Sequence, residues 1–143
     1  MINAYLAKHY QMTEVNTADQ KRLILMCYEG AIERLQKGKE RILDNRPDER
    51  TTHLSKAREI ITELQCALNF EKGGQIAKNL NAIYTYILKR IFEADVKNDI
   101  SAIDEVLVML RDLKSAWEYI FKNGKVDIPE PAIYQEQRSY VSA

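Results

Sequence analysis

Glycine and proline are scarce in this chain, five and three among 143 residues. No apolar/polar alternation persists beside them, so a strand-and-turn architecture is excluded. Histidine occurs only as His9 and His53, and cysteine only as Cys27 and Cys66. Neither histidine has a glutamate three residues before it, since Leu6 and Arg50 stand there, so the di-iron motif of carboxylate bundles is missing. Four isolated ligands make no zinc site. Both cysteines lie in apolar helical patterns and are expected to be buried, inert thiols of a reducing compartment. No serine stands in a strained-turn motif, so no catalytic constellation is present and the chain is not expected to be an enzyme. No cofactor is implied.

Net charge is missing too. Lys and Arg number 21 and so do Asp and Glu, which gives no field to draw the chain to nucleic acid or anionic lipid. No apolar run approaches the roughly 20 residues that span a bilayer, and no basic-then-apolar leader opens the chain. A cytoplasmic location is the expectation.

What remains is four segments with apolar residues at steps of three and four. The first is expected to begin after Thr17, where Thr17 and Gln20 have the form of a capping box, and to turn Ile24, Tyr28, Ala31, Leu35 and Ile42 inward. Pro47 both stops it and starts the next helix, which carries Leu54, Ala57, Ile61, Leu64 and Leu68 and closes at "FEKGG". The third runs from about Gly74 to Lys97 with Ile76, Leu80, Ile83, Ile87, Ile91 and Ala94 inward. Asn98 or Asp99 caps the turn after it. The fourth buries Ile103, Val106, Leu110, Leu113, Trp117 and Ile120 and ends near Asn123-Gly124. Short connections force neighbours antiparallel, so the fold class is all-α: an up-down-up-down four-helix bundle over 17–123. Gly73-Gly74 reads as a tight corner rather than a phosphate cradle, because a helix precedes it. Residues 1–16 can form a short amphipathic helical segment, and 124–143 are expected to be a mobile tail.

The third helix carries more apolar surface than a core needs. With 100° per residue, Ile76 to Ala94 fill an arc of roughly 140°, about what a bundle uses. Tyr86, beside Ala82, falls outside on one side and Phe92 on the other. Leu23 and Met26 stand off the main face of the first helix, as do Val108 and Phe121 on the fourth. Repeated excess of this kind suits furrows for an apolar partner helix.

The residues also carry a family resemblance. "NTADQKRLILMCYEGAIERLQKGKE" resembles the first-helix signature of the flagellar secretion chaperones for flagellin, the FliS family, where Leu-Tyr-Asp-Gly-Ala is matched here by Cys27 to Ala31. "LNFEKGGQIAKNLNAIYTYILKRIFEADVKND" is similar to that family's Asn-x-Glu-x-Gly-Gly turn, Ile-Ala-x-Asn-Leu run and Tyr-x-Tyr. "VLVMLRDLKSAWEYI" is similar to its closing helix. The likeness extends from about Tyr10 to Phe121. It departs at Asp19-Gln20, in place of a Ser-Pro-Glu-like cap, and at Gln75, where an acidic residue is frequent.

The resemblance implies a cytoplasmic export chaperone that binds the C-terminal helical segment of flagellin one-to-one, blocks its premature polymerisation and presents it to the cytoplasmic domain of the flagellar export gate. Neither ATP nor metal takes part. The expected flagellin-binding residues are Ala82, Tyr86, Phe92, Leu23 and Met26, and Tyr5, Leu6 and Tyr10 form an N-terminal plug for an empty furrow. A monomer or weak dimer is expected when the chain is free. The alternative is a general helical adaptor that binds a partner helix.

Overall fold

The computed structural model describes residues 17–123. They form α1 (Thr17–Leu43), α2 (Pro47–Cys66), α3 (Phe70–Lys97) and α4 (Ile100–Asn123), the expected all-α bundle. α1 packs on α2 and α4, and α3 packs on the same two, so α1 lies diagonal to α3 and α2 to α4. The expected N-terminal segment 1–16, with Tyr5, Leu6 and Tyr10, and the tail 124–143 lie outside the described residues. So does the side chain of Thr17 that was to cap α1.

Two- and three-residue connections hold the antiparallel order, and asparagine makes two of them possible. Asn45 takes the left-handed conformation, φ 58°. Its amide donates to Ile42 O and that of Arg46 to Arg41 O, at 3.1 and 2.9 Å, which satisfies the last carbonyls of α1. Pro47 then opens α2 at a position that needs no amide donor. Asn98, φ 54°, ends α3 in the same way, and Asp99 accepts from the Ala102 amide at 3.1 Å to start α4. The two residues expected as alternative caps therefore divide the work.

The glycine corner differs from expectation. The chain turns at residues 67–69, where Leu68 leaves α2 and the Asn69 side chain accepts from the Lys72 amide at 2.9 Å. Phe70 to Gly73 then form a helical turn of their own, and Gly74 breaks it with φ 50° and ψ −132°. Only glycine visits that region without strain. Cys66, expected to be buried, is exposed at the last position of α2. Cys27 is buried as expected, and its surroundings push the thiol up to about 12, chiefly by desolvation.

The core is apolar except at its centre. Tyr28 of α1 and Tyr84 of α3 are both fully enclosed, and their hydroxyls meet across the bundle diagonal at 2.6 Å. The Trp117 indole of α4 donates to Tyr28 Oη at 3.1 Å. Three helices thus share one polar knot in a dry interior, where each group needs its partner. Burial pushes Tyr28 up to about 12 and Tyr84 well above the usual tyrosine range, so the knot stays neutral at physiological pH.

Tyr28→Phe strips the partner from both Tyr84 and Trp117, while Tyr84→Phe strips only one. Urea unfolding is expected to show Tyr28→Phe costing about 1–3 kcal/mol, Tyr84→Phe less, and the double variant less than the sum. Strict additivity would show that the three groups do not act together.

Candidate functional site: two flanks of α3 and the face of α1

Tyr86 and Phe92 emerge from α3 on opposite sides of its core-facing stripe. Tyr86 keeps 40% of its surface exposed, and its hydroxyl donates to Glu105 Oε2 of α4 at 2.6 Å. The other carboxylate oxygen of Glu105 accepts from Arg90 Nε at 2.7 Å, and Arg90 also reaches Glu93 at 2.9 Å. Tyr86 therefore lies along the furrow between α3 and α4, with its polar tip satisfied and its ring open. Ala82, one turn earlier, is exposed. Because Tyr86 faces Glu105 in an antiparallel pair, Ala82 comes opposite Met109, one turn on from Glu105. Val108, beside Met109, is exposed as the wheel indicates.

The same network sets the titration of its members. Donation to Glu105 raises the Tyr86 phenol above its ordinary value. The bonds from Tyr86 and Arg90 hold the Glu105 carboxyl below its own.

Phe92 is 52% exposed and turns toward α2. There the Arg58 guanidinium lies 5.3 Å from the ring centroid, within cation–π range. Val96, one turn later, is also exposed. The two sides read from the wheel are therefore distinct furrows: Ala82 and Tyr86 border α4, while Phe92 borders α2. The helical step separates them, since six residues turn the chain by about 240°.

On α1, Met26 is 36% exposed but Leu23 only 5%. Leu23 was expected off the core face and is instead part of it. The inward face of α1 is Leu23, Cys27, Tyr28, Ala31 and Leu35: Tyr28, Ala31 and Leu35 lie inward as expected, while Ile24 and Ile42 are only partly buried. Phe121 is half-buried, its ring 5.3 Å from that of Trp117. Among the described residues no three His, Cys, Asp or Glu side chains gather as a metal site, and no helix is long and apolar enough to cross a membrane.

With this surface described, relatives supply the family. The model of "Flagellar protein FliS" matches residues 1–124. The chain belongs to the FliS family. It is 36% identical over 108 residues to the flagellar secretion chaperone FliS of Vibrio cholerae, covering 76% of this chain and 79% of that protein. Against the flagellar secretion chaperone FliS of Bacillus subtilis the identity is 30% over 125 residues, covering 87% and 91%. A solved bacterial flagellar chaperone superposes with a TM-score of 0.70 at 21% identity, over 85% of this chain and 98% of that one, which speaks for the fold. These FliS relatives are named chaperones, not enzymes.

A cleft of about 470 Å³ between α1 and α4 is the counter-example on this FliS fold. Its walls are Glu29, Glu33, Gln36, Arg111, Lys114 and Ser115, with Ile32 alone apolar. Lys114 pairs there with Glu29 and Glu118, and Glu33 with Lys37, so the cleft is a charged surface rather than an apolar furrow. Sequence reading also missed Glu63 of α2, whose low exposure no local pattern announces.

Glu105 gives a pH test. Its folded-state pKa is depressed, so its contribution is complete above the unfolded value of 4.5 and is lost as pH falls through the folded value. Replacing it with Gln is expected to flatten the loss of stability below that pH in acid titrations followed by circular dichroism. An unchanged acid limb would mean that the bonds from Tyr86 and Arg90 do not form in solution.

Proposed function

We propose that this chain is a cytoplasmic export chaperone whose client is flagellin. It binds the C-terminal helical segment of flagellin one-to-one, prevents its premature polymerisation and delivers it to the cytoplasmic domain of the flagellar type III export gate. The observation that carries this reading is the pair Tyr86 and Phe92: large aromatics 40% and 52% exposed on a helix whose core face is already filled. The FliS relatives, named flagellar secretion chaperones, supply the biological setting.

Ordering a segment that is unfolded alone costs conformational entropy, so its partner must offer a long apolar contact. A rigid bundle with apolar strips on more than one flank offers that. Ala82 lets a partner helix approach the α4 side closely, Tyr86 and Phe92 provide the large contacts on either side, and Met26 extends the surface to α1. Leu23 supports the Met26 region from inside the core. In the free chain, which we take to be a monomer or weak dimer, Tyr5, Leu6 and Tyr10 act as a displaceable plug. ATP and metal have no part in the cycle.

Calorimetric titration with a flagellin C-terminal fragment tests the assignment. Tyr86→Asp combined with Phe92→Asp is expected to weaken binding by at least tenfold while the bundle stays folded. Unchanged affinity in a soluble, folded variant sinks it. Deleting residues 1–10 is expected to leave the melting temperature unchanged and to tighten binding. A lower melting temperature with weaker binding would make the segment a structural cap instead.

A further inference from the structure

Glu63 is an ionisable side chain with little exposed surface and no hydrogen-bond or ion-pair partner among the described residues, its carboxylate still reached by water. It retains 9% of its surface, although it lies about 180° round α2 from the core residue Leu54. It reaches no hydrogen bond or ion pair among the described residues. The seam between α1 and α2 encloses it. There Gly30 brings the helices close enough that a Cβ would stand 3.4 Å from Ile60 Cδ1, and the Glu63 carboxylate acts on the Cys27 thiol. Desolvation raises its own pKa. Glu59, one turn earlier on the same flank, is half-buried and also unpaired among the described residues. Lys56, the nearby cation on this helix, is exposed and joins neither. Beside these two carboxylates the seam is apolar, with half-buried Ile60 and exposed Met26.

A partly desolvated carboxylate with no cation beside it is less favourable than one that has such a partner. The same group becomes favourable once a cation reaches it in a dry contact. We propose that the α1/α2 seam at Met26, Gly30, Ile60 and Glu63 docks a basic amphipathic helix of the client, whose lysine or arginine pairs with Glu63 while its apolar neighbours cover Met26 and Ile60. The inference rests on the chaperone reading and adds the chemistry that one client helix must carry. Charge complementarity selects this occupant: two unpaired carboxylates one turn apart reject an acidic segment and leave a neutral one with nothing to neutralise them.

Glu63→Gln in the full chain separates this role from a structural one. Thermal melts of the free protein and titrations with the flagellin C-terminal fragment, at low and high salt, are the measurements. The substitution is expected to raise the melting temperature, because a partly desolvated charge is removed, while weakening fragment binding roughly tenfold or more and reducing its salt dependence. Opposite signs for stability and affinity mark a binding residue. Binding within twofold of the parent, or a lowered melting temperature, overturns the inference. It also falls if Lys8→Gln lowers the melting temperature of the free chain and removes the effect of Glu63→Gln, since the chain's own N-terminal segment would then hold the carboxylate. Should Glu63→Gln bind normally while Tyr86→Asp with Phe92→Asp does not, only this inference fails. If the parent chain does not bind the fragment, the chaperone reading fails with it.

Discussion

The hydroxyl contact between Tyr28 and Tyr84 is the constraint on which this bundle rests. In a four-helix bundle diagonal helices are too far apart for aliphatic side chains to lock them in register. Two tyrosines long enough to meet at the axis do so with a directional bond of 2.6 Å, and the Trp117 indole fixes the third helix to the same atom. A slide or rotation of α1, α3 or α4 would strand a buried polar group, which an all-aliphatic core would not penalise. Directional bonds give the core a single arrangement, and every outward residue inherits its position from it.

α3 shows the consequence most plainly. With Tyr84 held at the axis, the residues two before and two after it take fixed outward bearings. Ala82 and Tyr86 face α4, and the helix repeat carries Phe92 round to α2. Polar side chains tie both sides: Glu105 and Arg90 on one, and on the other Gln65, which donates to Asn81 and Thr85, both at 2.9 Å. The helix is thus held from both neighbours, and its apolar excess has no core left to enter.

Much of this was legible in the sequence, for reasons of period and punctuation. The four helices follow from three-and-four spacing, and Pro47, Asn98 and Asp99 mark ends whose chemistry is local. The exposure of Tyr86 and Phe92 follows from the wheel alone. Leu23 did not, because the inward row of α1 was started at Ile24, and a helix with apolar residues at 23, 24 and 25 does not announce which one leads. The turn at Phe70 was hidden for a different reason: two glycines signal a break but not on which side of it the chain is helical. Glu63 was beyond sequence reading, since its low exposure at a position off the core row of α2 is a tertiary fact. Likewise, nothing local tells Tyr86 that its hydroxyl will find Glu105.

That last bond has a consequence for how quickly and how tightly a surface aromatic can be used. A free tyrosine on a helix samples several rotamers and loses that freedom on being covered. Tyr86 is already tethered by its phenolic end to a carboxylate that Arg90 in turn steadies. The ring stands preorganised, like a hand already raised, and an arriving chain meets a fixed shape instead of having to freeze one.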